Sequence, residues 1–145
     1  MIALIQRVSE ARVRVSGRIV GEIGPGVLAL IGVERDDAAP AAERLLERVL
    51  GYRVFPDAAG HMNLSLRDTG GGLLLVPQFT LAADTRKGTR AGFTRAAEPA
   101  RARELYAILL ERARAAHALV ASGEFGAEMQ VSLINEGPVT FWLQS

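Results

Sequence analysis

The period of apolar and polar positions changes several times along the chain, and each change marks an element. Residues 2–8 are mostly apolar, and residues 11–15 alternate as Ala-Arg-Val-Arg-Val, the pattern of a half-buried strand. Ser16-Gly17 supplies a tight turn, after which Arg18-Ile-Val-Gly-Glu-Ile23 returns as its partner. Gly24-Pro25-Gly26 breaks the chain. Val27-Leu-Ala-Leu-Ile-Gly-Val33 is a continuous apolar run and predicts a strand buried on both faces. Asp36 and Asp37 ahead of Pro40 predict a helix start, because carboxylates favour the positive end of a helix and proline fits its first turn. Leu45, Leu46, Val49 and Leu50 form the apolar stripe of that helix, which should end near Gly51.

Tyr52–Phe55 reads as a strand, Pro56–Gly60 as a turn and His61–Leu66 as a second short strand. Gly70-Gly71-Gly72 leads into Leu73-Leu-Leu-Val-Pro-Gln78, another buried strand. Residues 82–98 are polar and rich in Gly, Thr and Arg, a long loop of the kind that is usually functional or mobile. Pro99 opens a second helix with Leu105, Ile108 and Leu109 on its apolar face and Leu119 and Val120 near its end. Two strands, near 128–135 and 139–143, close the chain, joined by Asn135-Glu-Gly-Pro138. The order β-β-β-α-β-β-α-β-β predicts an α+β fold of mixed and antiparallel sheets with two main helices. At 145 residues the expectation is a single domain, 1–145, that buries a core without staples.

Composition removes several chemistries. The absence of cysteine excludes a disulfide framework, a thiol nucleophile and thiolate metal sites. His61 and His117 are far apart, which argues against a metal cage and against a Ser-His-Asp triad. They read as a turn residue and a helix-end residue. No pair among the sixteen carboxylates is singled out by spacing, and the chain lacks a phosphate-binding P-loop, a nucleotide-binding glycine motif and a nucleophile elbow. Neither a membrane-spanning run nor a signal peptide is read, so the expected setting is the cytoplasm, with no membrane partner.

Charge does change the picture. Over residues 85–103, Arg86, Lys87, Arg90, Arg95, Arg101 and Arg103 stand against Glu98 alone, in a chain whose formal net charge is +1. A local excess of this kind attracts polyanions even when the whole molecule is nearly neutral. Taken singly, these residues also fit a solvated loop and helix face. Phe93 is the only aromatic in the loop, which predicts contact with a nucleic-acid backbone more than base reading.

Two segments remain: Pro77-Gln-Phe-Thr-Leu81 at the end of a buried strand, and Asn135-Glu-Gly-Pro-Val-Thr140. Here the chain resembles the D-aminoacyl-tRNA deacylases, whose signatures are S-Q-F-T-L and N-x-G-P-x-T. The likeness extends through Ala3–Val8, Gly21–Gly26, Met62–Ser65, Ala83–Gly88, Gly123–Ala127 and Met129–Leu133. Pro77 replaces the usual serine, and Ala91-Gly92 replace the more usual Pro-Ser.

The resemblance implies a barrel-like core and a homodimer whose pocket is shared across the interface. It implies hydrolysis of D-aminoacyl-tRNA, and of glycine mischarged on tRNA, without metal or organic cofactor. Gln78, Phe79 and Thr80 would carry catalysis, with backbone N–H groups as an oxyanion hole and the terminal ribose 2′-hydroxyl of the substrate assisting. Gly137 and Pro138, with a cis bond, would bind the substrate α-ammonium through their carbonyls and exclude an L side chain. Arg86, Lys87 and Arg90 follow the pocket strand and would meet tRNA phosphates. Two alternatives stay open: a non-catalytic nucleic-acid-binding module, and a deacylase of relaxed chirality acting on mischarged L-aminoacyl-tRNA.

Overall fold

Extended backbone continues from Ile2 to Val15, so the two N-terminal segments form one strand, β1 (Ile2–Val15), in the computed structural model, which describes residues 1–145. The chain continues through β2 (Arg18–Ile23), β3 (Gly26–Gly32), α1 (Ala39–Gly51), β4 (Phe55–Pro56), β5 (Met62–Leu64) and α2 (Leu66–Thr69). There follow β6 (Gly72–Pro77), a 3₁₀ turn (Phe79–Ala82), α3 (Pro99–Ala116), β7 (Val120–Ser122) and β8 (Gln130–Gln144).

One edge of β1 serves two partners in succession. Its first half pairs antiparallel with β3, Ile2 opposite Gly32, and its second half with β2, Ala11 opposite Ile23. The other edge is covered throughout by antiparallel β8. Parallel β6 extends β3, and parallel β7 extends β6. The sheet then curls until β2 approaches β7, making a nearly closed barrel. At that closure a Cβ on Gly21 would lie 2.5 Å from the Ser122 carbonyl oxygen, so only a glycine lets the strands meet.

Leu28, Leu74 and Val76 point inside the barrel with Val8, Ala11 and Val13. Their neighbours Val27, Ala29, Ile31, Leu73 and Leu75 face the other way and pack under α1 and α3. This is why β3 and β6 read as continuous apolar runs: both faces are buried. α1 contributes Leu45, Leu46, Val49 and Leu50, and α3 contributes Leu105, Tyr106 and Leu109. Each fully buried leucine adds about 1.5–3 kcal/mol relative to exposure, which anchors the strand ends that carry the site.

Four local expectations are corrected. α1 has no side-chain cap, because Asp37 is drawn away to accept from the Met1 ammonium at 2.7 Å and the Glu34 N–H at 2.7 Å. The short strand near 61–66 gives way after Leu64 to α2, where Ser65 and Asp68 form a reciprocal capping box. α3 stops at Ala116, and His117 Nε2 donates to the Gly71 carbonyl at 2.6 Å, so Val120 begins β7 instead of finishing the helix. Finally, the two closing strands are one: β8 runs through Gly137-Pro138, with its pairing to β1 lapsing only between Asn135 and Thr140.

Candidate active site

β6 delivers the first motif. Pro77 has no N–H to continue the ladder, and the Gln78 N–H takes the Ile31 carbonyl at 2.7 Å. The chain then tightens into the 3₁₀ turn, with the Leu81 N–H on the Gln78 carbonyl at 3.2 Å. The N–H groups of Phe79 and Thr80 precede that bond and have no acceptor within the turn, as the first donors of a helical turn do. Gln78 Nε2 donates to Thr80 Oγ1, fixing both side chains. Phe79 is 61% exposed, although its residue type alone favours the core.

Beside this turn lies an open cavity of about 510 Å³, lined by Pro77, Gln78, Phe79, Ala102, Phe125 and Met129 among others. Its far wall is built on α3. The Phe125 ring packs 6.1 Å from Tyr106, and the Arg103 guanidinium lies over it at 4.8 Å. Tyr106 donates to the Leu75 carbonyl at 2.9 Å and lies 2.7 Å from Ser122 Oγ, tying α3 to β6 and β7. Burial pushes the Tyr106 phenol up to about 12, so it stays a neutral donor. A Cβ on Gly123 would sit 2.8 Å from Met129 Sδ, so that glycine lets the thioether reach the wall.

The long polar loop is pinned, not loose. Asp84 and Gly92 exchange backbone hydrogen bonds of 2.7 and 3.0 Å across its neck. Farther on, the Arg35 N–H binds the Arg95 carbonyl at 2.9 Å, and Arg95 pairs with Glu34 at 3.5 Å. Arg86 Nε and Nη2 grip Asp84 at 2.8 and 2.6 Å, and this guanidinium holds the Asp84 carboxyl well below the usual carboxylate range. Arg86 is thus engaged within the loop, whereas Lys87 and Arg90 have no acidic partner. Arg86, Lys87 and Arg90 line one cavity with Asp84, Gly92 and Thr94. Phe93, between those last two, packs its ring 5.2 Å from that of Phe79.

The second motif is a clamped tip on β8. Asn135 Nδ2 donates to Thr140 Oγ1 at 2.8 Å, and Asn135 Oδ1 accepts from the Val139 N–H at 3.0 Å. Between them the Gly137-Pro138 bond is cis. Arg7 braces the tip, with Nε on the Glu136 carbonyl at 2.9 Å and Nη1 on the Val54 carbonyl at 2.7 Å. The named positions of N-x-G-P-x-T therefore divide: Asn135 and Thr140 staple the backbone that presents Gly137 and Pro138.

The structure brings Gln78 and Phe79 to one cavity and Arg86, Lys87 and Arg90 to an adjoining one, linked by Phe79 and Phe93. It does not bring Gly137 and Pro138 to them within the chain; neither lines the cavity. Pro77 is level with Ala3 through Ile31, whereas the tip lies between Thr140, level with Gln6, and Asn135, level with Val8, about 10–17 Å away along β1 at roughly 3.3 Å per residue. Sequence reasoning assigned no role to Arg7, Ala102, Phe125 or Met129. Arg7, Phe125 and Met129 lie in stretches of family likeness, the one signal that marks them, and Ala102 has none, since apolar lining carries no chemical label. No three His, Cys, Asp or Glu side chains gather closely enough to hold a metal ion.

These features define an α+β barrel protein with a cavity at a strand end and a basic loop beside it. The family model described as D-Tyr-tRNA(Tyr) deacylase matches residues 4–144, and the chain belongs to that family. A D-aminoacyl-tRNA deacylase of Thioalkalivibrio sulfidiphilus (strain HL-EbGR7) is 69% identical over 144 residues, covering 99% of this chain and 97% of its own. One from Alkalilimnicola ehrlichii (strain ATCC BAA-1101 / DSM 17681 / MLHE-1) is 66% identical over 145 residues, covering 100% and 97%. A solved chain named c-Myc DNA Unwinding Element Binding Protein superposes with a TM-score of 0.96 at 37% identity, covering 100% of this chain and 99% of its own. A second, described as a probable eukaryotic D-amino acid tRNA deacylase, has a TM-score of 0.83 at 19% identity, covers 99% and 98%, and bears on the fold alone.

Proposed function

We propose that this chain hydrolyses the ester bond of D-aminoacyl-tRNA, releasing the free D-amino acid and the tRNA. The observation that carries the reading is a cavity beside two N–H groups that the 3₁₀ turn leaves free, those of Phe79 and Thr80, in a chain 69% identical to a D-aminoacyl-tRNA deacylase. Water adds to the ester carbonyl carbon, and the oxygen that gains charge is held by those N–H groups. The bond from carbonyl carbon to ribose oxygen then breaks, and the ribose oxygen takes a proton. An aminoacyl ester is already reactive, so positioning plus oxyanion stabilisation suffices without a side-chain nucleophile, metal or organic cofactor. Gln78 and Thr80 orient water or substrate, and the substrate's terminal 2′-hydroxyl assists.

Chiral selection falls to Gly137 and Pro138. Their carbonyls accept from the α-ammonium group, and the rigid backbone beside them rejects an L side chain by clash. Glycine, which carries no side chain, passes the same wall and is removed from mischarged tRNA. The tip is far from the cavity of its own chain, which supports a homodimer in which each pocket receives the tip of the partner. Lys87 and Arg90, with Arg86, meet tRNA phosphates. We read the activity as chiral proofreading in the cytoplasm.

A second reading, a nucleic-acid-binding module, is favoured by the likeness to the c-Myc DNA Unwinding Element Binding Protein. One assay separates them: release of amino acid from D- and L-aminoacyl-tRNA and from D-aminoacyl-tRNA whose terminal 2′-hydroxyl is replaced by hydrogen. Rapid release from the D substrate, slow release from the deoxy form and none from the L form support the deacylase. Binding without release supports the module, and equal release from D and L forms supports relaxed chirality.

A further inference from the structure

Phe79 and Phe93 are 61% and 42% exposed, yet their rings meet at 5.2 Å with a 40° tilt. Two large apolar side chains presented together to water on one chain call for an occupant. Their surroundings identify its chemistry. On one side Phe79 borders the cavity at the end of β6. On the other, Phe93 sits between Gly92 and Thr94, which line the cavity of Lys87 and Arg90. The aromatic pair therefore bridges an apolar pocket and two uncompensated cations. Aromatic rings alternating with cations are how proteins hold single-stranded nucleic acid, since every base offers a π face and every linkage a charge.

We infer that the Phe79–Phe93 pair is a stacking platform for the base next to the terminal aminoacylated nucleotide. The inference rests on the proposed deacylase reading and extends it from phosphate contact to base contact. With the aminoacyl end in the β6 cavity, the next nucleotide of the single-stranded 3′ end crosses Phe79 and Phe93, and its phosphates reach Lys87 and Arg90. Stacking holds any base, so the platform adds affinity and register without demanding a sequence. The occupant is RNA, not a second copy of this chain, because the exposed rings run directly into the cationic loop of Lys87 and Arg90.

The test uses Phe93, which does not line the β6 cavity. A tRNA carrying fluorescent 2-aminopurine at the penultimate position is titrated with wild type, Phe93→Ala and Phe93→Trp. Wild type quenches the fluorophore on binding, Phe93→Ala binds roughly 5- to 100-fold more weakly without quenching, and Phe93→Trp restores both. In hydrolysis, Phe93→Ala raises KM for D-aminoacyl-tRNA by a similar factor while leaving kcat. It also leaves the rate on D-aminoacyl-adenosine, which has no penultimate nucleotide. Equal quenching by wild type and Phe93→Ala, or equal loss on both substrates, overturns the inference. So does a change in sedimentation of the free Phe93→Ala protein, which would assign the platform to a second copy. The fluorescence is read from binding alone, so absence of hydrolysis by wild type would refute the deacylase reading without deciding this one.

Discussion

A single methyl group at Gly137 tests whether the β8 tip carries selectivity. Gly137 has φ of +137°, where L side chains are rarely found. A Cβ built there lies 2.7 Å from Val139 Cγ2, 2.9 Å from the Val139 nitrogen and 3.1 Å from Arg7 Nη2. Rotation of Val139 relieves the first contact, but the second is to backbone. Restoring an ordinary contact of 3.4 Å moves the tip by about half an ångström and loosens the Asn135–Val139 bond of 3.0 Å. The backbone strain alone is of order 1–3 kcal/mol. Because the tip is exposed, the molecule relieves that strain by displacing it and not by unfolding. Misplacement by about 1 Å at a reacting centre costs about 10²-fold, so Gly137→Ala should lower kcat/KM for D-aminoacyl-tRNA by about 10- to 100-fold. Single-turnover release of labelled D-amino acid measures this, with a thermal melt confirming that the variant is folded. An unchanged D rate together with unchanged rejection of the L substrate would refute the assignment of selectivity to this tip.

Salt titration of tRNA binding should show Lys87→Ala and Arg90→Ala each flattening the log–log slope by about 0.7–0.9. Arg86→Ala should flatten it less, because its guanidinium already serves Asp84. Thr80→Val, which keeps the branched shape and removes the hydroxyl, should cost less than the roughly 10²- to 10³-fold of a lost oxyanion donor, since the N–H groups remain; single-turnover hydrolysis decides it. For Tyr106 the folded pKa of about 12 lies above the unfolded value of about 10, so at alkaline pH the unfolded chain loses its proton first. Stability should therefore fall by about 2–3 kcal/mol between pH of about 10 and 12, and denaturant melts of Tyr106→Phe should lack that part of the decline.

What could be read in the chain follows burial geometry. β3 and β6 were legible because a strand buried on both faces leaves an unbroken apolar run, and α1 because its stripe repeats at the helical period. The start of α1 is legible from Pro40, but its cap is not: Asp36 and Asp37 look like caps, whereas Asp37 is held by the Met1 ammonium, a partner 36 residues away. β8 looked like two strands because Gly and Pro ordinarily end pairing; here Asn135, Thr140 and Arg7 hold the tip in place, and only Asn135 and Thr140 lie close to it in sequence. The site was legible as motifs but not as a place. Phe125 and Met129 are apolar residues in a loop, and the meeting of Phe79 with Phe93 spans fourteen positions that no periodicity relates.

The separation of the two motifs makes its own prediction, one that no single-chain variant can supply. If the tip of one chain completes the pocket of another, each dimer has two pockets, each built from the Gln78–Thr80 turn of one protomer and Gly137-Pro138 of the other. Gly137→Ala damages a tip and leaves the pocket of its own chain whole. Ala127→Trp does the reverse, since Ala127 lines the cavity and an indole there fills it. Each homodimer then has two defective sites. A heterodimer of the two variants has one site with both defects and one with neither. Co-expression with two different tags and tandem purification yields that heterodimer. Its rate on D-aminoacyl-tRNA should return to about half that of wild type per dimer, well above the mean of the two homodimers. If each chain instead folded its own tip into its own pocket, every site in the heterodimer would keep one defect and no rate would return. Sites that are independent make the expected recovery additive, so a heterodimer as slow as its parents would exclude the shared pocket.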